Sequence, residues 1–272
     1  MTLDLALVTY QPHGIIRVSN QKLPQVEGVR YVVSWQQHHD APIPPDIASR
    51  PDIIVHRFDS TGQAANRNNA IANCSADIIL HADDDIIYTR KGLLSVISVF
   101  EQNPNLDLAT FRSIHNSGCT YPDVETELKV HLPKNYFVAT FEIAFRRATC
   151  GALRCHPELG LGSPELHGGE DEVFLMNAIK HGYDCRFFPL TICTHDHPST
   201  GTKMNPTDGN LRASGCVIAL YYPWTSPLRI PLKAWRLYKS GRSVFGRAVR
   251  LLVAGAMKAP GLRRRGDDTV IW

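Results

Sequence analysis

The first third of the chain contains four short apolar runs, and an alanine-containing segment lies between the third and the fourth. The runs that predict β-strands cover residues 5–10, 29–35, 52–56 and 77–82. Apolar runs without strict alternation are typical of strands that are buried on both faces of a sheet. Residues 61–74 contain several alanines, which favour helix. Strands separated by helices predict an α/β fold, in which a mostly parallel sheet is covered on both faces.

The pattern is less regular after about residue 105. We expect a strand at residues 137–145, a helix at 171–181 and an extended segment at 185–194. Residues 11–14 combine proline and glycine and predict a turn after the first strand. We divide the chain into an α/β domain, residues 1–205, and a helical C-terminal extension, residues 206–272.

The extension has an unusual charge. Residues 1–208 contain 17 Lys and Arg against 24 Asp and Glu, whereas residues 209–266 contain 12 Lys and Arg and no acidic residue. Spacings of three and four place Arg229, Lys233, Arg236 and Lys239 on one helical face, and put Trp235 on another. Residues 209–266 would either lie on an anionic membrane surface or form a packed appendage with a solvated basic face. No motif accompanies the charge that would indicate nucleic-acid binding.

Cysteine content and hydropathy suggest a compartment. The seven cysteines are an odd number and form no C-x-x-C pair, which is typical of reduced thiols in a cytoplasmic protein. A zinc cluster around Cys193 and His195 is the alternative. Since no apolar run reaches about 18 residues and the N-terminus lacks a basic leader, we expect a soluble cytoplasmic chain.

Three consecutive carboxylates follow the apolar run at residues 77–82. Alternation along a strand lets Asp83 and Asp85 converge while Asp84 points away. Oxygen ligands suit Mg²⁺ or Mn²⁺, which commonly bridge to phosphate oxygens. The alternative is a solvated acidic turn. The apolar residues on both sides of the triplet favour a partly buried metal site.

A second acidic cluster opens the helix predicted at residues 171–181. Two glycines precede Glu170 and Asp171 and allow a ligand to approach the backbone closely. A carboxylate here can act as a general base on a hydroxyl nucleophile. It can also cap the helix, and the two roles are compatible.

Three motifs in this order resemble the inverting GT-A glycosyltransferases, family 2 especially. They are ANRNNAIA at residues 65–72, LHADDD at 80–85 and GGEDEVFL at 168–175; the last is also similar to an element of β-1,4-galactosyltransferases. The resemblance covers about residues 3–200. It implies a GT-A fold, with a Rossmann-like nucleotide-binding sheet, and Mn²⁺- or Mg²⁺-dependent transfer of a sugar from a nucleotide-diphosphate donor.

The resemblance also implies roles for individual residues. Asp171 would be the catalytic base and Glu170 would orient the acceptor. Asp85 would ligate the metal directly, and Asp83 would face the donor ribose or the outer shell of the metal. His195, or in second place His197, would be a further metal ligand. The residues expected to border the donor nucleotide are Thr9, Tyr10, Gln36, Arg67, Asp83 and Asp84.

One departure from the family concerns the nucleotide base. Many members carry an aspartate after the second strand that reads uracil, whereas this chain has Ser34-Trp35-Gln36-Gln37-His38. The amide of Gln36 or Gln37 can pair with a pyrimidine edge instead. UDP is therefore the favoured donor nucleotide, with GDP and dTDP open.

Other functions remain open at this point. A metal-dependent nucleotidyltransferase would share the fold and the acidic ligands, but residues 11–14 are a poor glycine-rich phosphate loop. A non-catalytic nucleotide-sugar-binding protein is the third possibility. For a glycosyltransferase we expect a glycan or lipid-linked acceptor in polysaccharide or glycoconjugate synthesis, with residues 209–266 contacting the inner face of an anionic membrane.

Overall fold

The computed structural model describes residues 1–115, 121–133, 136–195 and 206–264. The strands of this part of the chain are β1 Leu3–Tyr10, β2 Val29–Gln36, β3 Ile53–Phe58, β4 Ile78–Asp83, β5 Ile87–Tyr88, β6 Leu108–His115, β7 Thr126–Glu127, β8 Ile143–Arg146 and β9 Cys185–His195. The α-helices are α1 Gln11–Asn20, α2 Pro45–Ala48, α3 Gln63–Asn73, α4 Arg90–Gln102, α5 Arg147–Cys150, α6 Glu170–Lys180, α7 Asp208–Tyr221, α8 Ser226–Lys239, α9 Phe245–Ala256 and α10 Ala259–Arg264. A 3-10 turn covers Thr140–Glu142.

The strands form one mixed sheet in the order β3-β2-β1-β4-β8-β6-β9-β5, with β7 paired to β9. The first four strands are parallel, and β8 is antiparallel to both of its neighbours. The chain runs outward from β1 to β3 and then returns to place β4 on the other side of β1. Ligands bind at such a switch point, beyond the carboxyl ends of the strands.

Both faces of the sheet are covered by helices, as the apolar runs predict. In β1, Leu3, Leu5 and Leu7 face the layer that contains α1 and α4. Ala6 and Val8 face the opposite layer, which contains α3 and α6. Because successive strand residues point to opposite faces, a strand between two helical layers needs apolar residues at nearly every position. The predicted α/β fold is confirmed, and C-terminal helices follow it.

The C-terminal helices pack against the α/β part and against each other. Val173 and Met176 of α6 share one apolar cluster with Cys216 and Leu220 of α7. Helices α7 and α9 approach closely at Gly215, where a Cβ atom would lie 1.9 Å from the carbonyl oxygen of Leu252. The division of the chain at residue 205 stays a prediction. No described helix is long and apolar enough to cross a membrane.

Two local predictions were wrong. Residues 11–14 open helix α1 directly after β1 instead of forming a turn. Gln11 reverses the chain with φ of 60°, and Pro12 fits the first helical turn, where its missing N–H needs no partner. Within residues 137–145, the backbone forms the 3-10 turn at Thr140–Glu142, and strand β8 begins only at Ile143.

Candidate active site

A cleft of about 910 Å³ opens at the switch point of the sheet. Its floor is formed where β1, β2 and β4 end, and α3, α6, α7 and α8 contribute to its walls. The predicted site residues that line it are Thr9, Tyr10, Gln36, Arg67, Asp83, Asp84, Asp85, Glu170, Asp171 and His195. The remaining predicted residue, His197, lies outside the described residues. The fold therefore brings the acidic motifs of β4 and α6 to one cavity.

Asp83 ends β4 and is held by Arg67 of α3. The guanidinium donates to both carboxylate oxygens, at 2.8 Å for Nη1–Oδ1 and 3.3 Å for Nη2–Oδ2. The Arg67 side chain is 1% exposed. Burial alone would lower the pKa of Arg67, but the charges of Asp83 and Asp171 offset this and raise it. Arg67 is thus a fixed cation between the two acidic motifs.

Asp84 is buried and has different partners from Asp83 and Asp85. It accepts hydrogen bonds from the Thr9 hydroxyl and from Arg17, at 3.1 Å for Nε–Oδ1 and 2.7 Å for Nη2–Oδ2. Burial raises the pKa of Asp84, and the bond from Arg17 opposes that shift. The sequence analysis missed Arg17, because only the position of α1 beside β4 brings the two residues together.

Asp85 has the most exposed carboxylate of the triplet and faces His195 at the end of β9. The Nε2 atom of His195 lies 3.4 Å from Oδ2 of Asp85, and the carboxylate is 40% exposed. Among the described residues, no group of three His, Cys, Asp or Glu side chains is arranged to hold a metal. One carboxylate and one imidazole nevertheless fit a Mg²⁺ or Mn²⁺ ion that takes its remaining ligands from water and from substrate phosphate.

Glu170 and Asp171 form the first turn of α6. Gly169, the preceding residue, has φ of 85°, and a Cβ atom there would lie 2.7 Å from Cγ2 of Val217. Glycine is therefore needed both for the turn and for the contact with α7. The resulting backbone directs both carboxylates into the cleft.

The environment of Asp171 makes its carboxylate basic. Burial raises its pKa well above the ordinary value, the nearby charge of Glu170 raises it further, and Arg67 opposes both effects. The hydroxyl of Thr140 donates a hydrogen bond to Oδ1 of Asp171. No sequence motif points to Thr140, because its position beside Asp171 depends on the 3-10 turn that precedes β8.

Gln63 joins the two acidic motifs. In the amide orientation that satisfies both neighbours, its oxygen accepts from Nη2 of Arg67 at 2.6 Å, and its nitrogen donates to Oε1 of Glu170 at 3.3 Å. Burial raises the pKa of Glu170, and the charge of Arg67 opposes that shift. The network therefore runs from Asp83 through Arg67 and Gln63 to Glu170.

The ends of β1 and β2 form another part of the cleft. Thr9 and Gln36 are buried there, whereas Tyr10 is 48% exposed. The side chain of Asn66 in α3 donates to the carbonyl oxygen of Thr9 at 2.9 Å. Gln37, which follows β2, also lines the cleft and has φ of 48°. Strained backbone at a strand end of this kind is common in ligand sites.

The C-terminal helices contribute cations to the same cleft. Lys233 of α8 and Arg242, which follows it, both line the cavity together with His167 and Asn210. Sequence spacing places Lys233 on one helical face with Arg236 and Lys239. Lys233 is only partly exposed, unlike those two neighbours, because its position borders the apolar stripe through which α8 packs.

Cys193 is not placed for zinc binding with His195. It belongs to the apolar core, and burial raises its pKa well above the ordinary value. Among the described residues, it belongs to no group of three side chains that could hold a metal ion. The six described cysteines are all buried.

Comparison with known proteins finds similarity to a family over part of the chain. Residues 40–158 match the model of the family described as Glycosyl transferase family 2. A pre-mycofactocin glycosyltransferase of Mycobacterium tuberculosis is 26% identical over 214 residues, which cover 74% of this chain. The match covers 45% of that relative, so this chain corresponds to less than half of its length.

Solved structures share the fold at low identity. Residues 1–349 of S. aureus TarS in complex with UDP have a TM-score of 0.58 and 13% identity, covering 98% of this chain and 92% of that one. A mannosyltransferase of Pyrobaculum calidifontis in complex with GDP-Man and Mn²⁺ has a TM-score of 0.55 and 13% identity, covering 95% and 75%. These similarities establish the fold.

Proposed function

We propose that the protein is an inverting, metal-dependent glycosyltransferase, since residues 40–158 match the family 2 model and the chain has the GT-A fold. Its donor would be a nucleotide-diphosphate sugar and its acceptor a hydroxyl group. One observation carries the proposal. The partly buried Asp171 lies in the same cleft as the carboxylates at the end of the central parallel strand β4. This transfer needs at least a general base for the acceptor hydroxyl and a site that neutralises the negative charge of the leaving group. Both would lie in this one cavity.

The reaction is a single displacement at the anomeric carbon. The acceptor oxygen forms a bond to that carbon as the bond to the diphosphate oxygen breaks, and the electron pair leaves with the nucleoside diphosphate. Asp171 takes the proton of the acceptor hydroxyl during attack. Thr140 orients the Asp171 carboxylate, and Glu170 positions the acceptor. Attack from the side opposite the leaving group inverts the configuration.

Asp85 and His195 are the residues that would hold Mn²⁺ or Mg²⁺. The ion would supply positive charge to the diphosphate leaving group. Asp83 is engaged by Arg67 through both oxygens and is better suited to the donor ribose or to the outer shell of the ion. Asp84 supports this edge of the cleft through Arg17 and Thr9.

The donor nucleotide would occupy the part of the cleft formed by Thr9, Tyr10, Gln36 and Gln37. UDP is the favoured nucleotide. An amide from Gln36 or Gln37 suits a pyrimidine edge, and a structural neighbour was solved with UDP and with UDP-GlcNAc. GDP is the second candidate, since another neighbour was solved with GDP-Man.

Calorimetric titration with UDP, GDP and dTDP, each with Mn²⁺ and with EDTA, tests the donor site. We expect metal-dependent binding of one nucleotide, UDP first. If folded protein binds none of them, the proposal fails. Incubation with the matching nucleotide sugars then tests catalysis. Release of free nucleoside diphosphate supports a transferase, pyrophosphate release would indicate a nucleotidyltransferase, and binding without turnover would indicate a non-catalytic sugar-nucleotide binder.

We also propose that the outer face of α8 contacts an anionic membrane surface, where a lipid-linked acceptor would be available. Leu228 and Trp235 are 77% and 49% exposed on this helix, beside Arg236 and Lys239, while residues 209–266 contain no acidic residue. An apolar stripe flanked by basic residues suits the headgroup region of an anionic bilayer.

Vesicle sedimentation tests this membrane contact. The wild type should bind phosphatidylglycerol vesicles and not phosphatidylcholine vesicles, and the double substitution Leu228→Ser and Trp235→Ser should reduce that binding. Exposed Leu190 of β9 lies outside residues 209–266, and Leu190→Ser is the matched control. Equal binding by the wild type and the double variant would contradict the proposal.

A further inference from the structure

A buried carboxylate lies behind the wall of the cleft. Glu142 is 0% exposed and ends the 3-10 turn Thr140–Glu142. Its Oε1 atom accepts hydrogen bonds from the hydroxyl of Ser113, at 2.5 Å, and from the hydroxyl of Tyr121. Its Oε2 atom accepts from the backbone N–H of Ala139 at 3.0 Å. Because burial of a carboxylate is costly without such donors, these bonds fix the position of the group.

The side chain of Glu142 closes the 3-10 turn on itself. The backbone N–H of Glu142 donates to the carbonyl oxygen of Ala139 at 3.0 Å, and the backbone N–H of Ala139 donates to the Glu142 carboxylate in return. Such a reciprocal pair joins the two ends of a turn in the same way as a capping box at a helix start. The bond from Ser113 of β6 also attaches the turn to the sheet. Glu142 therefore fixes the backbone of the two residues between it and Ala139.

Those two residues, Thr140 and Phe141, both line the cleft. The hydroxyl of Thr140 donates to Oδ1 of Asp171, the proposed base, and this bond lowers the pKa of Asp171 against the effect of burial. The ring of Phe141 packs against His195, with 5.4 Å between the ring centroids. A displaced turn would withdraw the Thr140 hydroxyl from Asp171.

We propose that Glu142 is a positioning residue, whose side chain holds the 3-10 turn where Thr140 donates to Asp171. The inference rests on the proposed function for the role of Asp171 as a base. In this arrangement the length of the side chain matters more than its charge. A carboxamide of equal length has an oxygen for the N–H of Ala139 and a nitrogen that can donate to the two hydroxyls. A carboxylate one methylene group shorter keeps the charge and cannot hold all three contacts.

The test measures the Asp171 carboxyl directly. Protein labelled with ¹³C at the aspartate side-chain carboxyl is titrated by NMR, and the Asp171 signal is identified by its loss in Asp171→Asn. Thr140→Val should raise the apparent pKa of Asp171, because the ionised form loses a hydrogen-bond donor. Glu142→Asp should raise it in the same way, whereas Glu142→Gln should leave it at the wild-type value.

Two further variants protect the test against trivial loss of stability. Asp4→Asn is the matched control, because Asp4 is a buried carboxylate outside the cleft that accepts from the backbone N–H groups of Ser75 and Ala76. It should lower the unfolding temperature and leave the pKa of Asp171 unchanged. Glu142→Met fills a similar volume without an acceptor and carries the same expectation as Glu142→Asp. It replaces that variant if thermal unfolding shows that Glu142→Asp does not fold.

Turnover gives a second readout with the nucleotide sugar that the wild type uses. In Glu142→Asp and in Thr140→Val, the loss of rate on acidification should begin at higher pH. On the acidic side the rate should be about tenfold below that of the wild type, the equivalent of one hydrogen bond to a charged group. The KM for the nucleotide sugar should stay unchanged. The double variant should lose no more than Thr140→Val alone, since both changes remove the same bond.

The outcomes separate this inference from the proposed function. A wild-type pKa of Asp171 in Glu142→Asp or in Thr140→Val overturns the inference. So does a pKa in Glu142→Gln that rises as far as in Glu142→Asp, or additive losses of rate in the double variant. Protein that turns over no nucleotide sugar refutes the proposed function. The NMR titration still decides the inference in that case, because it requires no turnover.

Discussion

Replacing Arg67 with methionine removes the cation that lies between the two acidic motifs. The guanidinium is buried and contacts Asp83 at 2.8 Å. At an effective dielectric constant of about 20, a charge pair at this distance has a Coulomb energy of about 6 kcal/mol before desolvation is subtracted. Breaking a buried ion pair from one side typically costs about 3–5 kcal/mol, because the remaining charge stays buried without its partner. We expect Arg67→Met to lose that much stability at pH 8.

The loss should depend on pH in a defined direction. Arg67 lowers the pKa of Asp171 and of Glu170. Without it, the folded-state pKa of both carboxyls rises further above the unfolded value. Protonation then relieves the unpaired charge, so the deficit of Arg67→Met is largest at pH 8 and shrinks toward pH 5. If Arg67→Met keeps some transfer activity, the loss of that activity on acidification should begin at higher pH than in the wild type. The reason is that a smaller fraction of Asp171 is ionised at a given pH in the variant.

Urea unfolding of the wild type and the variants at pH 5 and pH 8 measures both effects. Arg67→Lys keeps the charge but loses the two-pronged contact, and should cost about 1.5–3 kcal/mol. Arg17→Met is the matched control. It breaks the ion pair with Asp84, in which the arginine is 38% exposed and the carboxylate 11% exposed. Because Asp84 keeps its hydrogen bond from Thr9 and Arg17 is screened by solvent, we expect a smaller loss, of about 1–3 kcal/mol. An Arg67→Met deficit no larger than that of Arg17→Met, or one that grows on acidification, would refute the reasoning.

Three further substitutions test individual residues. Asp171→Asn should keep nucleotide affinity in calorimetry yet reduce transfer by about 10²–10⁴-fold, the usual contribution of a general base; transfer near the wild-type rate would remove Asp171 from that role. Asp85→Ala should abolish the difference in UDP affinity between Mn²⁺ and EDTA, and an unchanged difference would contradict its assignment as a metal ligand. Burial raises the pKa of Glu142 from 4.5 to about 7, so this group's stabilisation is present below its unfolded pKa and is lost as pH rises through 7. Across that window the contribution of Glu142 to stability should fall by at most about 3 kcal/mol, and Glu142→Gln should flatten the decline in urea unfolding; an equal decline in the variant would exclude Glu142 as a cause.

The layered fold and the acidic motifs could be predicted because their signals are local. An apolar run that ends in three aspartates places those aspartates at a strand end, and the parallel order of β1, β2 and β4 then brings the strand ends together. The GGED motif likewise predicts a helix start, and α6 begins at Glu170. These patterns predict which residues reach the cleft.

The partners inside the cleft depend on packing between distant segments. Asp84 and Arg17 are 67 positions apart, and Thr140 and Asp171 are 31 apart. Sequence spacing does not predict either contact, because each contact depends on how a helix or a turn packs against the sheet. Sequence reasoning therefore located the carboxylates and missed the groups that tune their pKa values.

The extension illustrates the same limit within one helix. Spacing alone places Lys233 on one helical face with Arg229, Arg236 and Lys239. The four cations differ in their surroundings. Helix α8 packs through an apolar stripe formed by Ile230, Ala234 and Leu237, and Lys233 lies next to that stripe. A lysine at the edge of an apolar stripe can bury its alkyl stem and extend its ammonium along the interface. Charge spacing gives the angle of a side chain around the helix, whereas its function depends on what the neighbouring segments place opposite it. Here they place the cleft beside Lys233, which the spacing of the basic residues does not show.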